Sequence, residues 1–313
     1  MTPRPVIVTT FPLPPAAVSL LEEVGELHGP EEWRGRLGEA QALLCLLSDR
    51  VDMELLRQAP RLRVVANAVV GYEHVDLAAC RARGILVTNT PGVLTEATAG
   101  LAWALILATV RRLPQAERSL RAGEFHGWGF WDYLGGDLDG ATLGIFGMGR
   151  IGQAVARRAG AFGMRVVYHS RTPLPEVEER ALGARAVDAD TLLAESDVLS
   201  LHAPLTPQTR HWLDAAALAR MKPGAYLVNT ARGPLVDEAA LAGALAAGRL
   251  AGAGLDVYER EPAVHPALLA LDNVVLLPHV GSATRATRTR MAVLAARNVH
   301  AVLSGGMPLT PVP

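Results

Sequence analysis

The chain has 313 residues, half of them hydrophobic and 19% charged, with a formal net charge of −1. That length predicts two domains with sizeable cores. The near-neutral balance leaves no footprint for nucleic acid or for an anionic membrane surface, and Lys222 is the only lysine beside many arginines.

The opening "MTPRPVIVTTFPLPP" has no apolar run ahead of a small-residue cleavage site, so no signal peptide is expected. Short apolar runs then alternate with helical patterns. "VIVTT" (6–10), "ALLCLLS" (42–48), "RVVANAV" (63–69) and "ILVTNT" (85–90) read as buried parallel strands, with helices between them. Cys45 and Cys80 lie in apolar surroundings without metal-ligand spacing, which predicts buried free thiols and a reducing compartment. A long helix is expected over 95–111. Its apolar run "LAWALILATV" is about half of what a bilayer span needs, so it reads as a buried helix. A cytoplasmic protein follows.

The segment 114–140 breaks the rhythm, with Trp128, Trp131 and Tyr133 among many glycines. The alternation then resumes through "TLGIFG", "RVVYHS", "VLSLHA", "YLVNT", "GAGLDV" and "VVLLPH". A last helical stretch, about 284–304, is free to return to the first unit. The expected fold is α/β, two Rossmann-like or flavodoxin-like domains with parallel sheets. One domain takes 1–98 plus 285–313 and the other 99–284.

"TLGIFGMGRIG" places Gly147, Gly149 and Gly152 where a strand ends and a helix begins. The first glycine suits the tight turn, the second a close approach to a pyrophosphate, and the third close helix–strand packing. A second strand at the right distance supports dinucleotide binding. That strand ends in Ser170, Arg171 and Thr172, where an acid would accept from the ribose 2′-OH and repel a 2′-phosphate. Two hydroxyls and a guanidinium favour NADPH. If Arg171 only stacks on the adenine, NAD is used as well.

Three polar residues follow apolar strands of the second unit: Arg232 in "LVNTARG", Glu261 in "LDVYEREP" and His279 in "VVLLPHVGSAT". Parallel strands bring such residues to one edge of a sheet, where α/β folds bind ligands. Taken singly, each has an ordinary structural reading. No clustered histidine or cysteine spacing points to a metal.

"GMGRIG", "NTARG", "GAGLDVYEREP" and "LPHVGSAT", in this order, resemble the motifs of the D-isomer-specific 2-hydroxyacid dehydrogenase family. "LLCLLSDRVD", "VVGYEHVDL" and "NTPGVLTEATAGLAWALILATVRRLP" resemble its glyoxylate/hydroxypyruvate reductase (glycerate dehydrogenase) branch, and the likeness covers essentially the whole chain. The resemblance implies an active site in the cleft between the domains. There Arg232 would hold the carboxylate and keto oxygen of a small 2-keto acid. His279 would give the proton to the keto oxygen as hydride arrives. Glu261 would hold the imidazole and favour its protonated form. The backbone N–H groups of Val70 and Gly71 would bind the substrate carboxylate.

The resemblance also implies cofactor contacts at Thr98, Arg150, Ile151, His202, Ala203, Pro204, Thr209, Thr230, Ala231, Asp256 and Gly281. It makes 112–140 an arm that crosses to a second copy in a homodimer, with Trp131 reaching the substrate pocket of that copy. The chain stops after "PLTPVP", so no regulatory domain is expected. Other D-2-hydroxy acids (D-lactate, D-3-phosphoglycerate), phosphite, or a non-catalytic dinucleotide-sensing scaffold are the alternatives.

Overall fold

The computed structural model describes residues 3–312. Five strands form the first sheet: β1 (Val6–Thr9), β2 (Glu26–His28), β3 (Ala40–Cys45), β4 (Val64–Asn67) and β5 (Leu86–Thr88). Seven form the second: β6 (Thr142–Phe146), β7 (Arg165–His169), β8 (Ala184–Ala186), β9 (Val198–Leu201), β10 (Ala225–Asn229), β11 (Leu250–Leu255) and β12 (Val274–Leu276). Every ladder within them is parallel. The chain divides into two compact units. One ends at Leu94 and resumes at Ala283, and the other is Thr95–Ser282.

The first sheet runs β2-β1-β3-β4-β5, the flavodoxin-like order. The second runs β12-β11-β10-β9-β6-β7-β8. Counted from β6, this is the Rossmann order 3-2-1-4-5-6 with a seventh strand added, and its switch point lies between β6 and β9.

Continuous apolar strands suit sheets covered on both faces, because successive side chains leave on opposite sides. In the first unit Val6, Val8, Leu43, Cys45 and Val65 meet Trp33, Leu56 and Cys80 on one face. Ile7, Ala42, Leu44, Val64 and Ala66 meet Leu21 and Ala295, Ala296 and Val299 of helix Arg285–Leu303 on the other. Both cysteines are free and buried, and burial, first of all, raises both thiol pKa values, that of Cys80 to about 11.

Helix starts follow the acids in the sequence. Asp52, Asp76, Asp188, Asp214 and Asp237 each accept a backbone N–H from the first turn of the helix that follows. Helix Thr95–Val110 buries Ala99, Ala102, Trp103, Leu105 and Ile106 and lies on β11, where a Cβ at Gly254 would sit 2.7 Å from Thr109 Oγ1. Among the described residues no helix is long and apolar enough to cross a membrane.

Two strands carry no sequence signal. β2 and β8 are three-residue edge strands, "ELH" and "ARA", too short and polar to show alternation. Within 114–140, helix Leu113–Arg121 takes the first third; none of its residues is buried.

Candidate active site

In the second unit the glycine loop joins β6 to helix Arg150–Ala159. Gly147 has φ +96°, and its N–H donates to His169 O at 2.8 Å. A Cβ there would lie 2.5 Å from the Ala203 nitrogen, so the loop touches the strand end that carries His202 and Ala203. A Cβ at Gly152 would overlap the Gly147 carbonyl, so only glycine lets the helix start this close to the turn. A Cβ at Gly149 would meet nothing, and Gly149 and Arg150 are exposed at the helix N-terminus. That face offers free backbone N–H groups to an anion.

β7 ends at His169, which delivers Ser170, Arg171 and Thr172 beside this loop. Arg171 and Thr172 are exposed. The turn after them is pinned from below by Tyr168. Its wholly buried ring carries an OH that donates to Glu179 Oε1 at 2.6 Å and accepts Leu174 N–H at 2.7 Å.

At the end of β9, His202 Nε2 lies 2.9 Å from Ser200 Oγ. Burial pushes the His202 pKa down to about 4, so the ring is neutral at pH 7. Thr209 braces the loop beyond it, donating to Pro204 O and accepting Thr206 N–H, both at 2.8 Å.

After β10, Asn229 shapes the turn that presents Thr230, Ala231 and Arg232. Its Oδ1 accepts Ala231 N–H at 3.0 Å and its Nδ2 donates to Arg232 O at 2.9 Å. Arg232 Nη1 donates to Ala231 O at 2.7 Å. Thr230 Oγ1 is buried without a protein partner. After β11, Asp256 is buried, and its oxygens accept Val280 N–H at 2.7 Å and Gly281 N–H at 2.8 Å. Burial, the larger effect, raises the Asp256 pKa against those two donors. Thr98 comes alongside: a Cβ at Gly281 would lie 3.2 Å from Asp256 Oδ2 and 3.5 Å from Thr98 Cγ2.

His279 follows β12 with φ +54°, a backbone state rarely held by a non-glycine residue. Its Nδ1–H donates to Glu261 Oε2 at 2.8 Å, and Glu261 Oε1 accepts Tyr258 N–H at 3.0 Å. Burial works against ionising Glu261. The hydrogen bonds from His279 and Tyr258 and the nearby Arg232 charge outweigh it and hold the pKa below the usual carboxylate value. An ionised carboxylate behind an imidazole, with a guanidinium near, is an arrangement that moves a proton at a substrate oxygen.

In the first unit Val70 and Gly71 lie in the loop after β4, outside regular structure. Trp131 stands elsewhere, 76% exposed in the 122–137 segment, edge-on to Phe130 at 4.8 Å. Sequence reading passed over the residues that brace the site. Besides Asn229 and Tyr168 these are Glu238, Glu259 and Gly233, where a Cβ would overlap the Tyr258 carbonyl. Among the described residues no group of histidine, cysteine or carboxylate side chains could hold a metal ion.

The model for the D-isomer specific 2-hydroxyacid dehydrogenase, NAD binding domain, matches residues 103–281. The chain belongs to the D-isomer-specific 2-hydroxyacid dehydrogenases. It is thus an NAD(P)-dependent oxidoreductase of 2-hydroxy acids. The dehydrogenase is 47% identical over 320 residues to the glyoxylate reductase of Thermococcus litoralis, covering 97% of this chain and 96% of that one. With the glyoxylate reductase of Aeropyrum pernix it shares 49% over 319 residues, 97% and 95% covered. Among solved structures it is similar to the NADPH-dependent glyoxylate/hydroxypyruvate reductase of Sinorhizobium meliloti in complex with NADP and malonate. The identity there is 40%, the TM-score 0.88, and 99% and 97% of the two chains are covered. It is also similar to the D-lactate dehydrogenase of Aquifex aeolicus complexed with NAD and lactic acid, at 32% identity and TM-score 0.85, with 96% of each chain covered.

The dehydrogenase's own residues fit a dinucleotide. The Gly149 face is open at a helix N-terminus, and Thr230 Oγ1 is a buried hydroxyl with no protein partner.

Proposed function

We propose that this dehydrogenase reduces glyoxylate and hydroxypyruvate to glycolate and D-glycerate, with NADPH preferred over NADH. The nicotinamide supplies the hydride when bound. Arg232 orients the keto acid through charge-assisted hydrogen bonds. His279 gives its Nε2 proton to the keto oxygen, while ionised Glu261 holds Nδ1–H and orients the ring. In the reverse direction His279 takes the proton. The pairing of His279 with Glu261 at 2.8 Å carries this reading.

Residues 99–284, with Thr98 just before them, hold the cofactor, and residues 1–98 with 285–313 supply the N–H groups of Val70 and Gly71 that hold the substrate carboxylate. Thr98, Thr230, Ala231, Asp256 and Gly281 serve the nicotinamide side. Gly147, Gly149, Arg150, Ile151 and Gly152 take the phosphates. His202, Ala203, Pro204 and Thr209 line the adenosine side. The NADPH preference rests on Ser170, Arg171 and Thr172, where no acid stands to repel a 2′-phosphate.

The chain works as a cytoplasmic homodimer. Phe125, Trp128, Phe130, Trp131 and Tyr133 are all exposed, and Trp128 and Trp131 each pack edge-on with Phe130, more than an isolated surface residue accounts for; Trp131 shapes the pocket of the second copy.

The test follows absorbance of NADPH and NADH with each acid. Faster NADPH oxidation with both acids, and a shift toward NADH in Ser170→Asp, is the expected result. Turnover confined to D-lactate with NAD overturns the substrate assignment. Equal use of both cofactors overturns the preference. A monomer in light scattering overturns the role of Trp131.

A further inference from the structure

The loop after β4 has three consecutive carbonyls, each tied into the first unit. Val69 O accepts Thr90 N–H at 3.0 Å and Asn67 Nδ2 at 3.4 Å. Val70 O accepts Asn89 Nδ2 at 2.8 Å. Gly71 O accepts Asn67 Nδ2 at 2.5 Å. These peptides are trans, so each N–H points opposite to its tied carbonyl. The N–H groups so aimed belong to Val70, Gly71 and Tyr72, and among the described residues none of them donates to a protein acceptor.

The two asparagines are built in from behind. Asn67 is wholly buried, and its Oδ1 has no partner, a costly arrangement of about 1–3 kcal/mol that a hydrophobic core does not call for. Asn89 is fixed through its backbone by the C-terminal tail. Its N–H donates to Thr310 O at 3.2 Å, and its O accepts Thr310 Oγ1 at 2.6 Å. Thr310 is held in turn by Asn298 of the last helix, whose Nδ2 donates to Thr310 Oγ1 at 2.8 Å and whose Oδ1 accepts Thr310 N–H at 3.0 Å. A tail more than two hundred residues away in sequence thus sets the orientation of the Val70 peptide.

We propose that Asn67, Asn89 and Thr310 are positioning residues that aim three successive N–H groups at the substrate carboxylate, with Tyr72 N–H as a third donor. This inference rests on the assignment of the carboxylate to Val70 and Gly71. Three successive peptide N–H groups without protein acceptors make a cradle for an anion, and its strength depends on all three carbonyls staying tied.

The test uses the full chain saturated with NADP, 15N-labelled at valine, glycine and tyrosine, with malonate as the carboxylate probe. The expected result is that the Val70, Gly71 and Tyr72 amides shift on titration. In Asn89→Ala and Thr310→Val the malonate Kd and the KM for glyoxylate rise about fivefold or more. kcat and the Kd for NADPH stay within twofold, and Thr310→Ser, which keeps the hydroxyl, restores wild-type values. A KM-only effect with rescue by serine is not what general loosening of the fold produces.

Unmoved amides in the wild type overturn the carboxylate assignment itself, and this inference with it. Amides that move in the wild type, with a malonate Kd unchanged in both variants, overturn the positioning role alone. Movement of Val70 and Gly71 without Tyr72 overturns the third donor.

Discussion

Glu238 and Glu259 each accept the other's backbone N–H. Glu259 N–H donates to Glu238 Oε1 at 2.6 Å, and Glu238 N–H donates to Glu259 Oε2 at 3.3 Å. The remaining oxygen of Glu259 takes His211 Nε2 at 2.6 Å. This clamp ties the start of helix Glu238–Ala246 to the loop that carries Glu261 two residues later. Burial, ahead of the neighbouring Glu259 charge, raises the Glu238 pKa. Glu238→Gln keeps an acceptor and removes an unwelcome charge, so its melting temperature should stay near wild type. Glu238→Ala leaves the part-buried Glu259 N–H without its acceptor and should cost about 1 kcal/mol, with kcat reduced. Thermal melts and kinetics of both variants check this, and equal behaviour of the two would remove the clamp from the account.

Gly233 follows Arg232, and its Cα side faces the Tyr258–Glu259 backbone with no room for a methyl group. The turn carrying Arg232 and the loop carrying Glu261 therefore approach as bare backbones. Gly233→Ala should destabilise the chain by about 3 kcal/mol, the upper end of ordinary overpacking, and lower kcat/KM by parting Arg232 from Glu261. Gly149→Ala is the contrast: its Cβ meets no protein atom, so stability should hold while NADPH binding weakens.

His279→Gln should reduce kcat by about 10²–10⁴, the range for loss of a general acid, with the Kd for NADPH little changed. Glu261→Gln still accepts from Nδ1–H but carries no charge, so its loss should be smaller, and the acid limb of kcat/KM that Glu261 sets, below the usual carboxylate range, should vanish. A pH–rate profile identical to wild type in Glu261→Gln would falsify the electrostatic role.

His202 gives the fold a pH dependence. Its pKa falls from 6.5 to about 4 on folding because the ring is buried. A depressed histidine means the native state binds fewer protons than the unfolded chain. This contribution is complete above pH 6.5 and is lost as the pH falls toward 4. The shift corresponds to roughly 3–4 kcal/mol at most, less for the part of the ring that meets solvent. Denaturant unfolding at pH 7 and pH 4.5 should show a smaller loss in His202→Asn than in the wild type.

The strands that bear the site were legible because each is a run of apolar residues buried on both faces, with the polar residue in the loop that follows it. Arg232, Glu261 and His279 stand out for that reason, as do the glycines of the turn after β6. The bracing residues had no such signal. Asn89 and Thr310 meet across 221 positions, and nothing in the periodicity around either records the other. Glu238 reads as an ordinary acid in the first turn of a helix, and only its contact with Glu259 marks it otherwise. β2 and β8 were missed because an edge strand of three residues is shorter than the period that would reveal it.

Helix Arg285–Leu303 and the tail after it complete a sheet begun at Val6, with the whole of Thr95–Ser282 synthesised between. On a ribosome adding roughly 5–20 residues per second, the seven-stranded unit has all its strands while the five-stranded one still lacks a covering layer. Ala295, Ala296 and Val299 are not yet there to shield Ile7 and Leu44, and Thr310 is not yet there to hold Asn89. The nascent chain therefore carries a finished half and an open-faced half for some seconds. The open half, the first to be made, is the one whose apolar face stays uncovered the longer.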